Sequence, residues 1–117
     1  SIQYTKDRKA FGKPLSAMQH TRFTLAQMAT EVAVAESFVD RCITRLMAGD
    51  DVTVEAAMAK AHTTDLLGKV ADRCLQLFGG YGFMDEYPIS RIFRDARVMR
   101  IYAGTNEIMN LLIARSL

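Results

Sequence analysis

The chain has no tryptophan, two cysteines, two prolines and two histidines among 117 residues. Two cysteines cannot build a disulfide framework, so a reducing compartment is the default. His20 and His62 stand far apart, with no cysteine or carboxylate at ligand spacing, which argues against a metal site. No apolar run reaches the ~18 residues that a spanning helix needs. Charge of one sign is scarce as well. Fifteen Lys+Arg against 13 Asp+Glu leave a net +2, too little to imply nucleic acid. What remains is half apolar and about a quarter charged, the make-up of one globular domain over residues 1–117. The chain opens on Ser1 without Met, and Ser1 to Arg8 reads as the end of a helix already under way. A piece of a longer protein is therefore expected.

The scarcity of proline and glycine organises the chain. Pro14 follows Phe11-Gly12-Lys13 as a joint between a short first helix and a long second one, with Ser16 as its expected N-cap. Apolar residues then recur at helical spacing: Leu25, Met28, Ala29, Val32, Ala35, Val39, Cys42, Ile43, Leu46. This run of about 33 residues spans roughly 50 Å as a helix. Gly49 stops it, and Asp51 or Thr53 caps a third helix whose inner face holds Val54, Ala57, Met58, Ala61, Leu67, Gly68, Ala71, Cys74, Leu75 and Phe78. Gly68 costs roughly 1 kcal/mol in a helix interior, so close packing is expected there. Gly79-Gly80 ends this helix. A loop over 81–88, a short helix over 89–97, a second loop over 101–105 and a last helix from Asn106 to Leu117 follow, with Thr105 as cap and Ile108, Leu111 and Leu112 facing inward. No strand pattern is present. Two long helices joined by a tight turn lie antiparallel, and with the first and last helices they predict an all-α, up-down four-helix bundle.

Four features carry possible chemistry. Arg91, Arg94, Arg97 and Arg100 read either as an anion site or as partners of Asp85, Glu86 and Asp95; pairing is the stronger reading, because a spacing of three drifts around a helix. Gly79-Gly80-Tyr81-Gly82 follows a helix rather than a strand, which excludes the dinucleotide fingerprint and the P-loop. It leaves a helix cap or a place where a ligand meets bare backbone. Ala103-Gly104-Thr105 opens a helix, where exposed N–H groups favour an anionic or polarised oxygen. Cys42 and Cys74 read as small buried hydrophobes.

Six segments, in order and near-constant spacing, resemble the C-terminal helical domain of the acyl-CoA dehydrogenases. They are Asp7-Arg8-Lys9-Ala10-Phe11-Gly12-Lys13-Pro14-Leu15, Met18-Gln19, Gln76-Leu77-Phe78-Gly79-Gly80-Tyr81-Gly82-Phe83, Glu86-Tyr87-Pro88, Arg94-Asp95-Ala96-Arg97, and Ile101-Tyr102-Ala103-Gly104-Thr105-Asn106-Glu107-Ile108. The resemblance implies FAD as cofactor, oxidation of an acyl-CoA to the trans-2-enoyl form, electron-transfer flavoprotein as electron acceptor, and a homotetramer built as a dimer of dimers. It implies a location in the bacterial cytoplasm or the mitochondrial matrix. It also implies cofactor contacts at Arg8, Lys9, Ala10, Phe11, Met18, Gln19, Gln76, Leu77, Phe78, Gly79, Gly80, Thr105, Asn106 and Glu107, with Arg8 on the pyrophosphate of a neighbouring subunit and Phe11 near the adenosine half. Ala10 departs from the Ser or Thr common in the family. Ala103 and Gly104 are implied at the substrate, the Ala103 N–H facing the thioester oxygen.

Many members of the family carry the catalytic Glu where this chain has Ala103, and a methyl group cannot take a proton. The resemblance therefore points to the long-chain or isovaleryl-type branch, whose base lies on the preceding helix, about 30 Å or roughly 20 residues ahead of Ser1. The other explanation is a parent that has lost the activity. On either, no catalytic residue lies in the chain, and turnover by these residues alone is not expected. A non-catalytic assembly bundle and a flavin oxidase or acyl-carrier-linked member of the same fold are the alternatives. Faces that meet other domains should be apolar and open, favouring self-association.

Overall fold

A computed structural model describes residues 1–117 and bears out the all-helical class. The elements are helix α1 (Ile2–Asp7), the strands β1 (Lys9–Ala10) and β2 (Lys13–Pro14), and the helices α2 (Gln19–Met47), α3 (Thr53–Phe78), α4 (Pro88–Val98) and α5 (Asn106–Ala114). Single 3₁₀ turns cover Leu15–Ala17 and Gly79–Phe83.

No glycine or proline interrupts α2, and its buried residues fall at intervals of seven: Thr21, Met28, Ala35 and Cys42. A seven-residue repeat holds one seam of a helix against a neighbour along its whole length. That neighbour is α3, which runs antiparallel: Cys74 Sγ lies 3.9 Å from Met28 Sδ, and Arg73 reaches Glu31 at 2.7 Å. The turn between them is braced by Arg45, whose Nε bonds Asp50 at 2.9 Å and whose Nη1 pairs with Glu55. Asp51 Oδ1 accepts the Thr53 N–H at 2.9 Å and the Thr53 hydroxyl at 2.7 Å. Those donors hold the Asp51 carboxyl below its ordinary range. The expected cap is thus supplied by Asp51 from one residue ahead of the N-cap position, Val52.

Helix α3 is the axis of the fold. It buries Ala57 and Ala71 as expected, but also Thr64 and Leu66. Two residues apart, Thr64 and Leu66 lie on opposite sides of a helix, because α3 packs on α2 with one side and on α4 and α5 with the other. The chain doubles back at Gly82, where a Cβ would stand 2.6 Å from the Leu75 carbonyl oxygen. Pro88 opens α4 at its first position, where its missing N–H costs nothing. Four helices, α2 to α5, form the bundle. The six-residue α1 is too short to be a wall of it and docks instead at the C-terminal end of α3.

Other expectations need correcting. Ser16 caps nothing; it sits inside the 3₁₀ turn after Pro14, and α2 starts from Met18 without a side-chain cap. A strand pair does exist. Lys9 pairs with Pro14 and Ala10 with Lys13, joined by Phe11 and Gly12 at φ 53° and 78°. Two residues per strand are too few to show alternation. On α5, Ile108 and Leu111 are exposed, and Asn106 is the buried residue.

Gly68 has the close neighbour expected of it, but that neighbour is one side chain. A Cβ there would lie 2.2 Å from Arg100 Nη2. The guanidinium crosses the bare helix surface to Asp65, with Nε 3.2 Å from Oδ1. Arg100 thus pairs outside the carboxylates assigned from sequence. Of the other three, Arg91 donates to the Asp85 backbone oxygen at 2.7 Å, Arg94 faces Asp95 at 3.7 Å, and Arg97 has no ion-pair partner.

Only 14 of the 117 residues are buried. The accessible surface of 7949 Å² exceeds the roughly 6,400 Å² of a compact monomer of this mass. The radius of gyration, 17.2 Å, exceeds the roughly 13 Å of a compact chain of this length. Phe11 (97% exposed), Met47 (84%) and Phe83 (78%) stand in the open, as surfaces awaiting a cover do. No helix is long and apolar enough to cross a membrane.

Gly68→Ala should cost up to about 1 kcal/mol, because loss of the Arg100 contact outweighs the helix-propensity gain. In an Arg100→Ala background the same change should stabilise by up to about 1 kcal/mol. Denaturant unfolding of the four proteins of the cycle measures the coupling, and additive effects would remove this role for Gly68.

Candidate functional site

The residues singled out from sequence collect in two places along α3. The first is its C-terminal end. Tyr4 of α1 stacks on Phe78 with centroids 3.8 Å apart, and its hydroxyl donates to the Phe78 carbonyl at 3.2 Å. Tyr87 meets both rings edge-on. Burial pushes the Tyr4 phenol above its ordinary pKa. This cluster fixes the start of the hairpin, so that Arg8 leaves α1 beside Tyr81, its guanidinium carbon 5.1 Å from the ring centroid.

Arg8, Leu15, Gln76, Gly79 and Gly80 then line one cleft of about 620 Å³. Arg8 pairs with no carboxylate, and a Cβ at Gly80 would meet nothing within 4 Å. An unpaired cation facing bare backbone in open space fits a phosphate-bearing group. Lys9 and Phe11 are exposed on the hairpin, Ala10 is half-buried in it, and the half-buried Leu77 lines the cleft as well. Met18 and Gln19 stand at the start of α2, which the antiparallel packing brings to this same end.

The second place lies about 20 Å back along α3, where α5 begins. Asn106 is buried, and its amide is fully committed to α3. Oδ1 accepts from Lys60 Nζ at 2.8 Å; the two hydrogens of Nδ2 are shared among Thr64 Oγ1 at 3.0 Å, the Ala61 carbonyl at 3.2 Å and Asp65 Oδ1 at 3.2 Å, while the one Thr64 hydroxyl hydrogen goes to the Lys60 carbonyl at 2.8 Å. The Asn106 N–H closes onto the Arg100 carbonyl at 3.0 Å. Lys60 also donates to the Gly104 carbonyl at 2.6 Å. Thus both ends of the loop 101–105 are anchored on one turn of α3.

Inside the loop, Ala103 and Gly104 take φ 55° and 89°. Gly104 suits that region. For Ala103 it is a strained conformation of the kind found at functional positions. The N–H groups of Ala103, Gly104 and Thr105 have no acceptor within the chain. The arrangement offers backbone donors to an oxygen bearing partial negative charge.

Thr105 caps α5 as expected, accepting the Ile108 N–H at 3.3 Å. The Glu107 carboxyl is held below its ordinary range by its own N–H and the Thr105 hydroxyl. That makes it a weak base at neutral pH. The side chain of Asn106 serves as an anchor, not as a surface group. Sequence reasoning missed Lys60, Thr64 and Asp65. Their only signal is polar residues on the inner side of an Ala-rich helix, at a spacing that meets a later asparagine.

A family model described as acyl-CoA dehydrogenase, C-terminal domain, matches residues 1–117. Long-chain specific acyl-CoA dehydrogenase, mitochondrial, of Sus scrofa is 46% identical over 114 residues, covering 97% of this chain and 26% of that protein. An acyl-CoA dehydrogenase of Bacillus subtilis is 41% identical over 117 residues, all of this chain and 31% of that one. The crystal structure of acyl-CoA dehydrogenase from Geobacillus kaustophilus superposes with a TM-score of 0.96 at 50% identity, over 98% of this chain and 30% of that one. The chain spans about a quarter to a third of the relatives it matches.

Asn106→Leu should destabilise by roughly 2–4 kcal/mol, since it removes the amide that ties α5 to α3 and leaves the half-buried Lys60 ammonium with the Gly104 carbonyl alone; denaturant unfolding checks this. Glu107 has a depressed pKa in the folded chain, so its contribution is present above the ordinary carboxylate pKa and is lost as pH falls through the lower folded value. Glu107→Gln should therefore flatten the loss of stability in mild acid. An unchanged acid limb would remove this role.

Proposed function

Since this chain belongs to the acyl-CoA dehydrogenase family, as its C-terminal domain, we propose that the whole protein is an FAD-dependent dehydrogenase converting acyl-CoA to trans-2-enoyl-CoA. The observation that carries this reading is the strained Ala103–Gly104 turn, with its unpaired N–H groups, held on α3. The Ala103 N–H donates to the thioester oxygen of the substrate, with Gly104 beside it. Removal of the α-proton drives charge onto that oxygen, and a fixed donor already in place stabilises it. FAD, when bound, takes the hydride from the β-carbon.

The cleft at the end of α3 supports the cofactor assignment. Arg8 binds the pyrophosphate of a neighbouring subunit's FAD, and Lys9, Ala10 and Phe11 extend the contact along the hairpin. The fully exposed Phe11 ring packs near the adenosine half. Met18, Gln19 and the 76–80 segment meet the cofactor from the bundle, and Thr105 and Glu107 from the start of α5. Because the hairpin serves a second subunit, the reading includes a homo-oligomer, a dimer of dimers. Electrons leave to an electron-transfer flavoprotein. The base comes from outside these residues: Ala103 has none to offer, and hydrogen bonds lower the proton affinity of the Glu107 carboxylate. A glutamate on the helix ahead of Ser1 fills that role.

The whole protein should purify yellow. Arg8→Gln should lower its FAD affinity about 10- to 100-fold, the loss of a charge-assisted contact, with helicity unchanged by circular dichroism. Full flavin retention would take Arg8 out of the site. The 117-residue chain by itself should give no acyl-CoA-dependent dye reduction, and measurable reduction would place the base within it.

A further inference from the structure

Lys60 anchors the 101–105 loop, yet its place on α3 is unusual for a lysine. It projects from the middle of α3, is half-buried, and has no carboxylate within ion-pair distance. Instead its ammonium donates to the Gly104 carbonyl at 2.6 Å and to Asn106 Oδ1 at 2.8 Å. A partly desolvated cation on a backbone carbonyl does two things. It fixes the carbonyl's direction, and it polarises the peptide unit that carries it. The Gly104 carbonyl shares its peptide unit with the Thr105 N–H, one of the three unpaired donors. Fixing it also fixes the backbone on its other side, where Ala103 is held at φ 55°.

We propose that Lys60 is a positioning residue for the thioester-binding loop. It holds the Ala103–Gly104 turn in its strained conformation, so that the Ala103 N–H stays directed at a developing enolate, and it makes the Thr105 N–H, in the peptide unit it polarises, a stronger donor. This rests on the reading that the Ala103 N–H faces the substrate oxygen. It adds that a side chain on a different helix, not touching substrate, sets the strength of that contact. Asn106 shares the task sterically, since it receives the same ammonium while tying the start of α5 to Thr64 and Asp65. Two carboxylates border the arrangement: Asp65, which accepts from Asn106 and pairs with Arg100, and Glu107, whose lowered pKa includes a contribution from Lys60.

The test uses the whole protein, with acetoacetyl-CoA as an unreactive probe whose enolate absorbs in the near ultraviolet. A site that stabilises the enolate lowers the probe's apparent pKa when bound. Lys60→Met should raise that bound pKa by about one unit, corresponding to a tenfold weaker preference for the enolate. It should lower kcat about tenfold with little change in KM, since the interaction is made mainly in the transition state. FAD content should stay as in the parent. Lys60→Arg, which keeps charge and donors, should restore both values. If Lys60→Met does not fold, Lys60→Gln carries the test: it retains a donor for the Gly104 carbonyl but no charge, and should still raise the bound pKa.

A parent-like pKa and kcat in the folded neutral variants would overturn the positioning role while leaving the dehydrogenase reading intact. Loss of activity matched by loss of FAD, with the bound pKa unmoved, would equally overturn it. A wild-type protein that binds flavin but neither lowers the probe's pKa nor oxidises an acyl-CoA would overturn the underlying reading, and this inference with it.

Discussion

The buried amide of Asn106 is the interaction on which the arrangement of the second half of the chain depends. A primary amide offers two donor hydrogens and an acceptor oxygen with two lone pairs, and here every one of them faces α3. The start of α5 therefore has one height and one direction on the axis helix. Arg100, at the other end of the loop, reaches Asp65, the same carboxylate that Asn106 uses. Because the two anchors meet on one turn of α3, the five residues between them close a short loop with little freedom. Such a loop can hold an alanine at positive φ, a conformation that an open segment would relax. Apolar packing alone would leave α5 free to slide or rotate; the amide does not.

The same economy explains why α3 is so poor in large side chains. A helix packed on two sides cannot carry a broad apolar stripe and a polar face in the usual way. Ala57, Ala61, Gly68 and Ala71 keep the neighbours close. Thr64, which returns its hydroxyl to the Lys60 carbonyl at 2.8 Å, puts a polar group inside without leaving it unsatisfied. Gly68 takes this furthest, giving up a side chain so that Arg100 can lie on the helix surface. On the other side, the seven-residue repeat of α2 keeps the two long helices in register over their length. Register there passes to the far end, where Tyr4, Phe78 and Tyr87 set the position of Arg8.

Much of this could be read from the residues, and the part that could not has a physical cause. Helical periodicity located α2, α3 and the antiparallel turn, because a 3.6-residue rhythm over long windows is a strong signal. The cap at Thr105 and the stops at Gly49 and Gly79 were equally legible. Ser16 was misread because a serine after a proline suits a 3₁₀ turn as well as a helix cap. The hairpin was missed because its turn places a phenylalanine at positive φ, where glycine or asparagine would have announced it. The arginine ladder was assigned partners nearby in sequence, whereas Arg100 chose Asp65, 35 residues away. Lys60 and Thr64 were invisible for the same reason: polar residues on a helix face mean solvent unless the later segment that covers them is known.

Ala103 draws these threads together. A glutamate there would have to hold a long, charged side chain at a strained backbone position while its own N–H served the substrate oxygen. An alanine at φ 55° separates the two tasks. On the reading proposed here, the backbone of this loop supplies the electrostatic half of the reaction and leaves proton abstraction to a residue carried by another element. The loop can then be held by rigid anchors on α3, since nothing on it has to move with a proton. Glu107 follows the same logic: the hydrogen bonds that make it a good start for α5 keep its pKa low. What looks from the sequence like a lost catalytic residue is, in the fold, a position whose backbone geometry is still held in place by Lys60, Asn106 and Arg100.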